Sequence, residues 1–336
     1  MLRRSFLAAT ALSAVRVNAQ SPDPTVLHAV VAQDGSGDFP TIQRAVDHVL
    51  DHPPHNLSRV VLDIRPGTYR ERVKVPRNNV AFTFAGRDAA NTTISASMSA
   101  TAAGGTFFSP IVEVNADGFE AQNITFENTF GVGSQAVAIS LYSNRAAFRN
   151  CRFLGMQDTL YAAWGRQYYR DCYIEGHVDF IFGDAAAVFD RCEIHSRGSG
   201  YIAAHSRTTP DEPTGFVFWN SKVTGEPGLL RTAQTQAAGA EVPFPAKDSG
   251  KGVLLGRPWR DCARTVYVNC WMGDHIRPEG WDNWGTPARE KTAWFAETGS
   301  TGPGANPAAR VKWARHIDDV SMFAPAVFLK GWTYSF

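Results

Sequence analysis

Five cysteines are too few, and too far apart, to organise this 336-residue chain. No two of them have the C-x-x-C spacing of a structural zinc site, and an odd number leaves at least one thiol unpaired wherever the chain resides. Charge of one sign is lacking as well. The net charge is +1, which gives no reason to expect a nucleic-acid partner, so an anionic ligand must be met by local basic residues. Long apolar runs are missing. The best one, Phe6 to Val15, is too short to span a bilayer, so no membrane span is expected. No Gly-x-Ser-x-Gly stretch occurs, and with it goes the nucleophile elbow of the common serine hydrolases. Beyond about residue 50 there are no long runs of helical period, which removes the helical-repeat architectures.

What remains is 44% hydrophobic and 19% charged, an ordinary globular balance with enough apolar residues for a large core. The first 19 residues read as an export signal: Arg3-Arg4-Ser5-Phe6-Leu7, a short Ala/Ser/Thr-rich apolar stretch, then Val17-Asn18-Ala19 before a cut. The paired arginines point to a bacterial twin-arginine route, hence a periplasmic or secreted protein; a general secretory signal is the alternative. Removing Arg3, Arg4 and Arg16 takes the net charge from +1 down by three, to −2. Residues 20–336 are expected to form one domain.

The cysteines mark a repeat. Phe148-Arg149-Asn150-Cys151-Arg152-Phe153 is echoed by Tyr169-Arg170-Asp171-Cys172-Tyr173-Ile174 and again by Phe189-Asp190-Arg191-Cys192-Glu193-Ile194. Weaker echoes start at Asn123, Asn220 and Asn269. The intervals of 21 and 20 residues, filled with short alternating strands rich in Val, Ile, Phe and Tyr, predict a solenoid. The expected fold is all-β: a single right-handed parallel β-helix with one coil per repeat. Ile124, Cys151, Cys172 and Cys192 should then point inward at equivalent positions. Buried free thiols are the simpler expectation for the cysteines, although rungs about 4.8 Å apart would also permit a disulfide. Pro40 to Leu50 places Ile42, Ala45, Val46, Val49 and Leu50 on one helical face and should cap the first coil. Glu226 to Gly252, rich in Gly, Ala and Pro, reads as a long loop bordering a cleft. From about Pro287 onward the pattern is irregular with short helices, packed along the outside.

On such a solenoid Asp158 and Asp179, 21 residues apart, fall on neighbouring coils of one face. Gln157 adjoins Asp158, and Gln135 lies 22 residues earlier. Two close carboxylates resist ionising together, so one can hold a proton while the other stays anionic. Two amides add N–H donors without charge, a set suited to acyl transfer. The same spacing also suits a stack of polar residues that merely ends strands, and the residues alone leave both readings open.

Five segments in order resemble the pectin methylesterase family: Gly67-Thr68-Tyr69-Arg70-Glu71, Gln135-Ala136-Val137-Ala138-Ile139, Gln157-Asp158-Thr159-Leu160, Asp179-Phe180-Ile181-Phe182-Gly183 and Leu255-Gly256-Arg257-Pro258-Trp259. The likeness extends from Ala32 to Asn306. It implies a parallel β-helix that hydrolyses the methyl esters of homogalacturonan without cofactor or metal. By resemblance Asp179 is the nucleophile, Asp158 the acid and then base, Gln135 and Gln157 the oxyanion-hole donors, and Arg257 the partner that keeps Asp179 anionic. Trp259 matches an aromatic wall for sugar. Apart from the resemblance, Phe180 and Tyr161 are candidate sugar contacts, Tyr161 being expected either to line the groove or to pack in its wall. Met156 stands where the family often has an aromatic residue, which implies one softer sugar contact. The expected partner is methyl-esterified pectin, with neither nucleic acid nor membrane, and the expected state is a monomer.

Two other readings share most of these features: a related β-helix esterase or thioesterase on a different ester, and an idle polysaccharide-binding solenoid. The intact acidic, amide and arginine set argues against the last. His177 and His205 read as structural or cleft-lining, while Trp164 and Tyr201 are expected either to line the groove or to pack in its wall.

Overall fold

The computed structural model describes residues 25–229, 252–332 and 334. The expected export signal and residues 230–251 of the expected long loop lie outside them. The ends of that loop are described: the Gly252 amide donates to the Leu229 carbonyl.

Among the described residues two sheets form, one of ten strands and one of thirteen, and the strands pair in parallel throughout. The ten-stranded sheet makes one face. The thirteen-stranded sheet makes the other two, joined because the strands Tyr173–Gly183 and Glu193–His205 run around a corner without a break. Winding from face to face gives the expected right-handed parallel β-helix. No helix among the described residues is long and apolar enough to cross a membrane.

The repeat read from the cysteines is the true register. Arg152 pairs with Thr125 and Tyr173, Tyr173 with Glu193, Glu193 with Lys222, and Lys222 with Trp271. One residue earlier, Ile124, Cys151, Cys172, Cys192, Ser221 and Cys270 therefore stack in a single inward file, almost fully buried. The five cysteines are free and buried. One residue earlier again, Asn123, Asn150, Asp171, Arg191, Asn220 and Asn269 all have φ between 50° and 58°. Asn and Asp tolerate this left-handed conformation better than other side-chain-bearing residues, which is why the repeat starts with them. Arg191 breaks the pattern and is held by two hydrogen bonds to Asp171.

In the interior, Phe148, Tyr169, Phe189, Phe218 and Tyr267 stack in consecutive coils, with ring centroids 5.0, 4.7, 4.8 and 4.3 Å apart. Each ring withdraws roughly 150–250 Å² from water, so this column is a main contributor to the core. The helix Ile42–Asp51 closes the first coil, capped by Thr41, with Ile42, Ala45, Val46 and Val49 buried. At the other end the expectation needs correcting. Trp294–Thr298 is a regular strand that pairs with Arg264–Val268 and adds one more rung. Only the residues beyond it lie outside, where Phe323, Phe328 and Leu329 cover Tyr168, Val188, Val217 and Val266.

Candidate active site

Asp158 and Asp179 occupy adjacent rungs. Gln157 bridges to Val178, and the Asp158 amide donates to the Val178 carbonyl at 3.1 Å. Both aspartates have positive φ, 63° and 50°. This conformation interrupts the in-out alternation of the strand. Thr159 and Leu160 after the first, and Phe180 and Ile181 after the second, all turn inward. The next outward residues are Tyr161 and Phe182, which pair with each other. Phe180 is therefore no sugar contact: it is 0% exposed and belongs to the central core. Phe182, two residues on, takes the outward position instead.

A hollow of about 390 Å³ opens above the two aspartates, walled by Thr106, Phe107, Gln135, Gln157, Phe182, Ala204, Arg257, Trp259 and Trp284. Gln135 reaches it from the preceding coil, since the Ala136 amide donates to the Gln157 carbonyl. Neither glutamine side-chain amide is engaged in a hydrogen bond among the described residues, so both retain free N–H donors. Arg257 enters from two rungs further along, through the pairings of Phe182 with Ala204 and Ala204 with Arg257. It donates from Nε to Asp179 Oδ1 at 2.9 Å and from Nη2 to Oδ2 at 2.6 Å. Its guanidinium also packs on the rings of Tyr201 and Trp284, 3.9 and 3.7 Å from their centroids.

The two carboxylates are 8% and 6% exposed and electrically unequal. Burial pushes Asp158 well above the usual carboxylate range, and the charge of Asp179 pushes it further; only the more distant Arg257 charge opposes this. Burial raises Asp179 too, against the expectation that arginine would leave it lowered. There the hydrogen bonds and charge of Arg257 act in the opposite direction and restrain the rise. The order is what matters chemically: both are raised, but Asp158 well above the usual range with little to oppose it, so Asp179 is the readier of the two to ionise.

Aromatic rings floor the hollow. Phe182 stacks on Tyr161 at 4.6 Å and approaches Trp259 at 5.9 Å; Phe107 packs 5.1 Å from Tyr161 and 6.5 Å from Trp259. Trp259 thus stands in the wall, and Tyr161 backs it. Met156 is buried and its carbonyl accepts from the His177 amide, so it takes no part in the wall. His177 and His205 are buried outside the hollow, and burial pushes His205 down to about 3. Phe107 and Trp284 escaped the sequence reading. Phe107 sits on a short 3₁₀ turn, Thr106–Phe108. Trp284 is held at φ 57° by a hydrogen bond from its amide to Asp282. Neither lies on a repeat position; the adjacent phenylalanines at 107 and 108 in a Gly-rich stretch were the only signal.

A parallel β-helix with two aspartates, two glutamines and an arginine over one hollow defines a class of carbohydrate-active esterases. The chain matches the Pectinesterase family profile over residues 28–331. It is 41% identical over 300 residues to pectinesterase 31 of Arabidopsis thaliana, covering 86% of this chain and 87% of that protein. It is 38% identical over 312 residues to the probable pectinesterase/pectinesterase inhibitor 21 of the same plant, where it covers 90% of this chain but spans only 44% of the relative. The solved pectin methylesterase from carrot superposes with a TM-score of 0.79 at 35% identity, covering 90% of this chain and 93% of that one. The chain belongs to the pectinesterase family of carboxylic ester hydrolases.

Proposed function

We propose that this protein hydrolyses the methyl esters of homogalacturonan to pectate and methanol, with Asp179 as nucleophile and Asp158 as acid and base. One observation carries the reading: Arg257 grips the carboxylate that ionises first, one rung from a carboxyl that holds its proton, under two uncommitted amides.

An Asp179 oxygen attacks the ester carbonyl, and the negative charge that develops on the carbonyl oxygen is met by the N–H groups of Gln135 and Gln157. Both Asp179 oxygens already accept from Arg257. Each keeps a second lone pair for the attack. When the tetrahedral intermediate collapses, the C–O bond to the methoxy group breaks and Asp158 delivers its proton, so that methanol leaves rather than methoxide. Asp158, now anionic, takes a proton from water; the hydroxide attacks the acyl carbon, Asp179 departs as carboxylate, and Asp158 ends protonated again. One water is consumed and one acid and one methanol are formed. Trp259, Phe182 and Phe107 offer apolar faces to the sugar rings. These steps use protein groups and water alone, so excess chelator should leave the rate unchanged.

Residues 1–19 are proposed as an export signal of the twin-arginine kind and residues 20–336 as one monomeric catalytic domain, working in the periplasm or outside the cell. The bacterial assignment rests on the Arg3-Arg4-Ser5-Phe6-Leu7 segment alone. N-terminal sequencing of exported protein tests the removal of residues 1–19, and a chain that keeps Met1 overturns it. The catalytic reading is tested by methanol release from methyl-esterified pectin by the wild type and by Asp179→Ala. Release by the wild type, lost in a folded Asp179→Ala protein, supports it; near-normal release by the variant overturns the nucleophile.

A further inference from the structure

The guanidinium of Arg257 has two carboxylates to choose between. Asp179 takes its Nε and Nη2 donors at 2.9 and 2.6 Å. The charge of Asp282 raises Asp179 and Arg257 alike, so it lies near both. Among the described residues no hydrogen bond joins Arg257 to Asp282. Attraction to negative charge does not by itself decide which carboxylate the fork faces.

Two rings supply the decision. The guanidinium carbon lies 3.9 Å from the Tyr201 ring centroid and 3.7 Å from that of Trp284. Two rings cannot share one side of a planar group at that range, so the guanidinium sits between them. Its faces are then covered by aromatic surface, and only its edge, where the N–H bonds lie, is left for hydrogen bonding.

The rings come from different parts of the fold. Tyr201 is on the strand Glu193–His205, paired with Leu254 on one side and with Val178, the neighbour of Asp179, on the other. The sheet therefore fixes it. Trp284 is on a loop, at φ 57°. That conformation is uncommon for a bulky side chain and persists only where the surroundings hold it. Asp282 does so, by accepting from the Trp284 amide at 2.5 Å. The rival carboxylate is thus partly committed to the turn that presents the second ring.

We propose that Tyr201 and Trp284 are positioning residues, which clamp the Arg257 guanidinium between their rings and so fix its N–H bonds on Asp179 rather than on Asp282. The inference rests on the esterase reading above and deepens it. Clamped, the arginine serves Asp179 through its edge and leaves the remaining lone pairs of that carboxylate for the ester. Unclamped, it is free to swing toward Asp282, and Asp179 loses the partner that favours its anion. The titratable groups facing the pair are Asp158, His177, Tyr201 and Asp282. A substitution at Trp284 changes none of them.

The test compares Trp284→Leu with Trp284→Phe. The two side chains have similar bulk, so any water admitted by shortening Trp284 is common to both and only the π face differs. Fully methyl-esterified oligogalacturonate is the substrate, because it brings no free carboxyl to titrate. The acid limb of kcat/KM should lie about half a pH unit higher in Trp284→Leu than in Trp284→Phe. Tyr201→Leu and Tyr201→Phe should differ in the same sense. A ring that only walls the sugar would raise KM in both Trp284 variants and leave their acid limbs together, and that result overturns the clamp. A second measurement needs no turnover: carbon NMR titration of the Asp179 carboxyl in aspartate-labelled protein, its signal assigned by its loss in Asp179→Asn. A higher midpoint in Trp284→Leu than in Trp284→Phe supports the clamp, and equal midpoints defeat it. If the wild type releases no methanol from pectin and the midpoints still differ, the esterase reading falls and the clamp stands.

Discussion

Arg257 and Asp179 are 78 residues apart in sequence and two rungs apart in space, and Arg257 holds both Asp179 oxygens, at 2.9 and 2.6 Å. Asp179 is buried and Arg257 partly so, so the bonds act where water competes little, and removing the arginine leaves a buried carboxylate stranded.

Burial alone raises the Asp179 pKa, and Arg257 is what opposes it. Replacing Arg257 by Gln should therefore raise it further. Since the attacking form is the anion, the acid limb of the kcat/KM profile should move to higher pH, with a lower plateau. A profile whose acid limb stays in place would detach Arg257 from the ionisation of Asp179.

Asp158 makes a prediction of the opposite kind for activity and stability. Its folded pKa is raised, so its stabilising effect is complete below the unfolded value of about 3.9 and is lost as pH rises through the folded value. Asp158→Asn removes that loss. The variant should lose activity by about 10²- to 10⁴-fold, yet melt at a higher temperature than the wild type near and above neutral pH. Calorimetry of both proteins across pH checks the sign. Because the two carboxylates titrate as a coupled pair, the wild-type profile should be fitted with two shared macroscopic constants.

Gln157 stands over the hollow with its side-chain amide unengaged, which costs nothing structurally to remove. Gln157→Ala should lower kcat by about 10²- to 10³-fold and leave the melting temperature near that of the wild type. A drop in stability without a drop in kcat would mark it as part of the wall alone.

Phe180 and Phe182 separate packing from recognition within three residues. Phe180→Ala opens a cavity in the central core and should cost about 3–5 kcal/mol of stability. Phe182→Ala should chiefly raise KM for pectin, because the ring lines the hollow beside Trp259. Denaturant unfolding and steady-state methanol release on the two variants distinguish these outcomes.

Much of this was legible in the chain because a solenoid repeats its instructions. The Asn/Asp-Cys echo fixed the coil length, and the coil length put Asp158 beside Asp179 and Gln135 beside Gln157. The reading failed where local backbone overrode the repeat. At Asp179 a positive φ breaks the alternation, so Phe180 goes inward and Phe182 outward. Trp294–Thr298 was missed as a strand because it carries no echo of the repeat, yet an open sheet edge stood ready to pair with it.

The sequence by itself determined the period, the handful of left-handed corner residues, the inward file of small buried thiols and the family of the chain, because each depends on spacing along one strand of the repeat. Only the tertiary structure decided which carboxylate ionises first. That depends on the burial of both groups and on an arginine brought in from two rungs away. Tertiary structure also made a wall from Phe107 and Trp284, which come from loops with no repeat to read. Such effects come from charges and rings converging from distant parts of the chain, where the energy of each group depends on neighbours that its own segment does not encode.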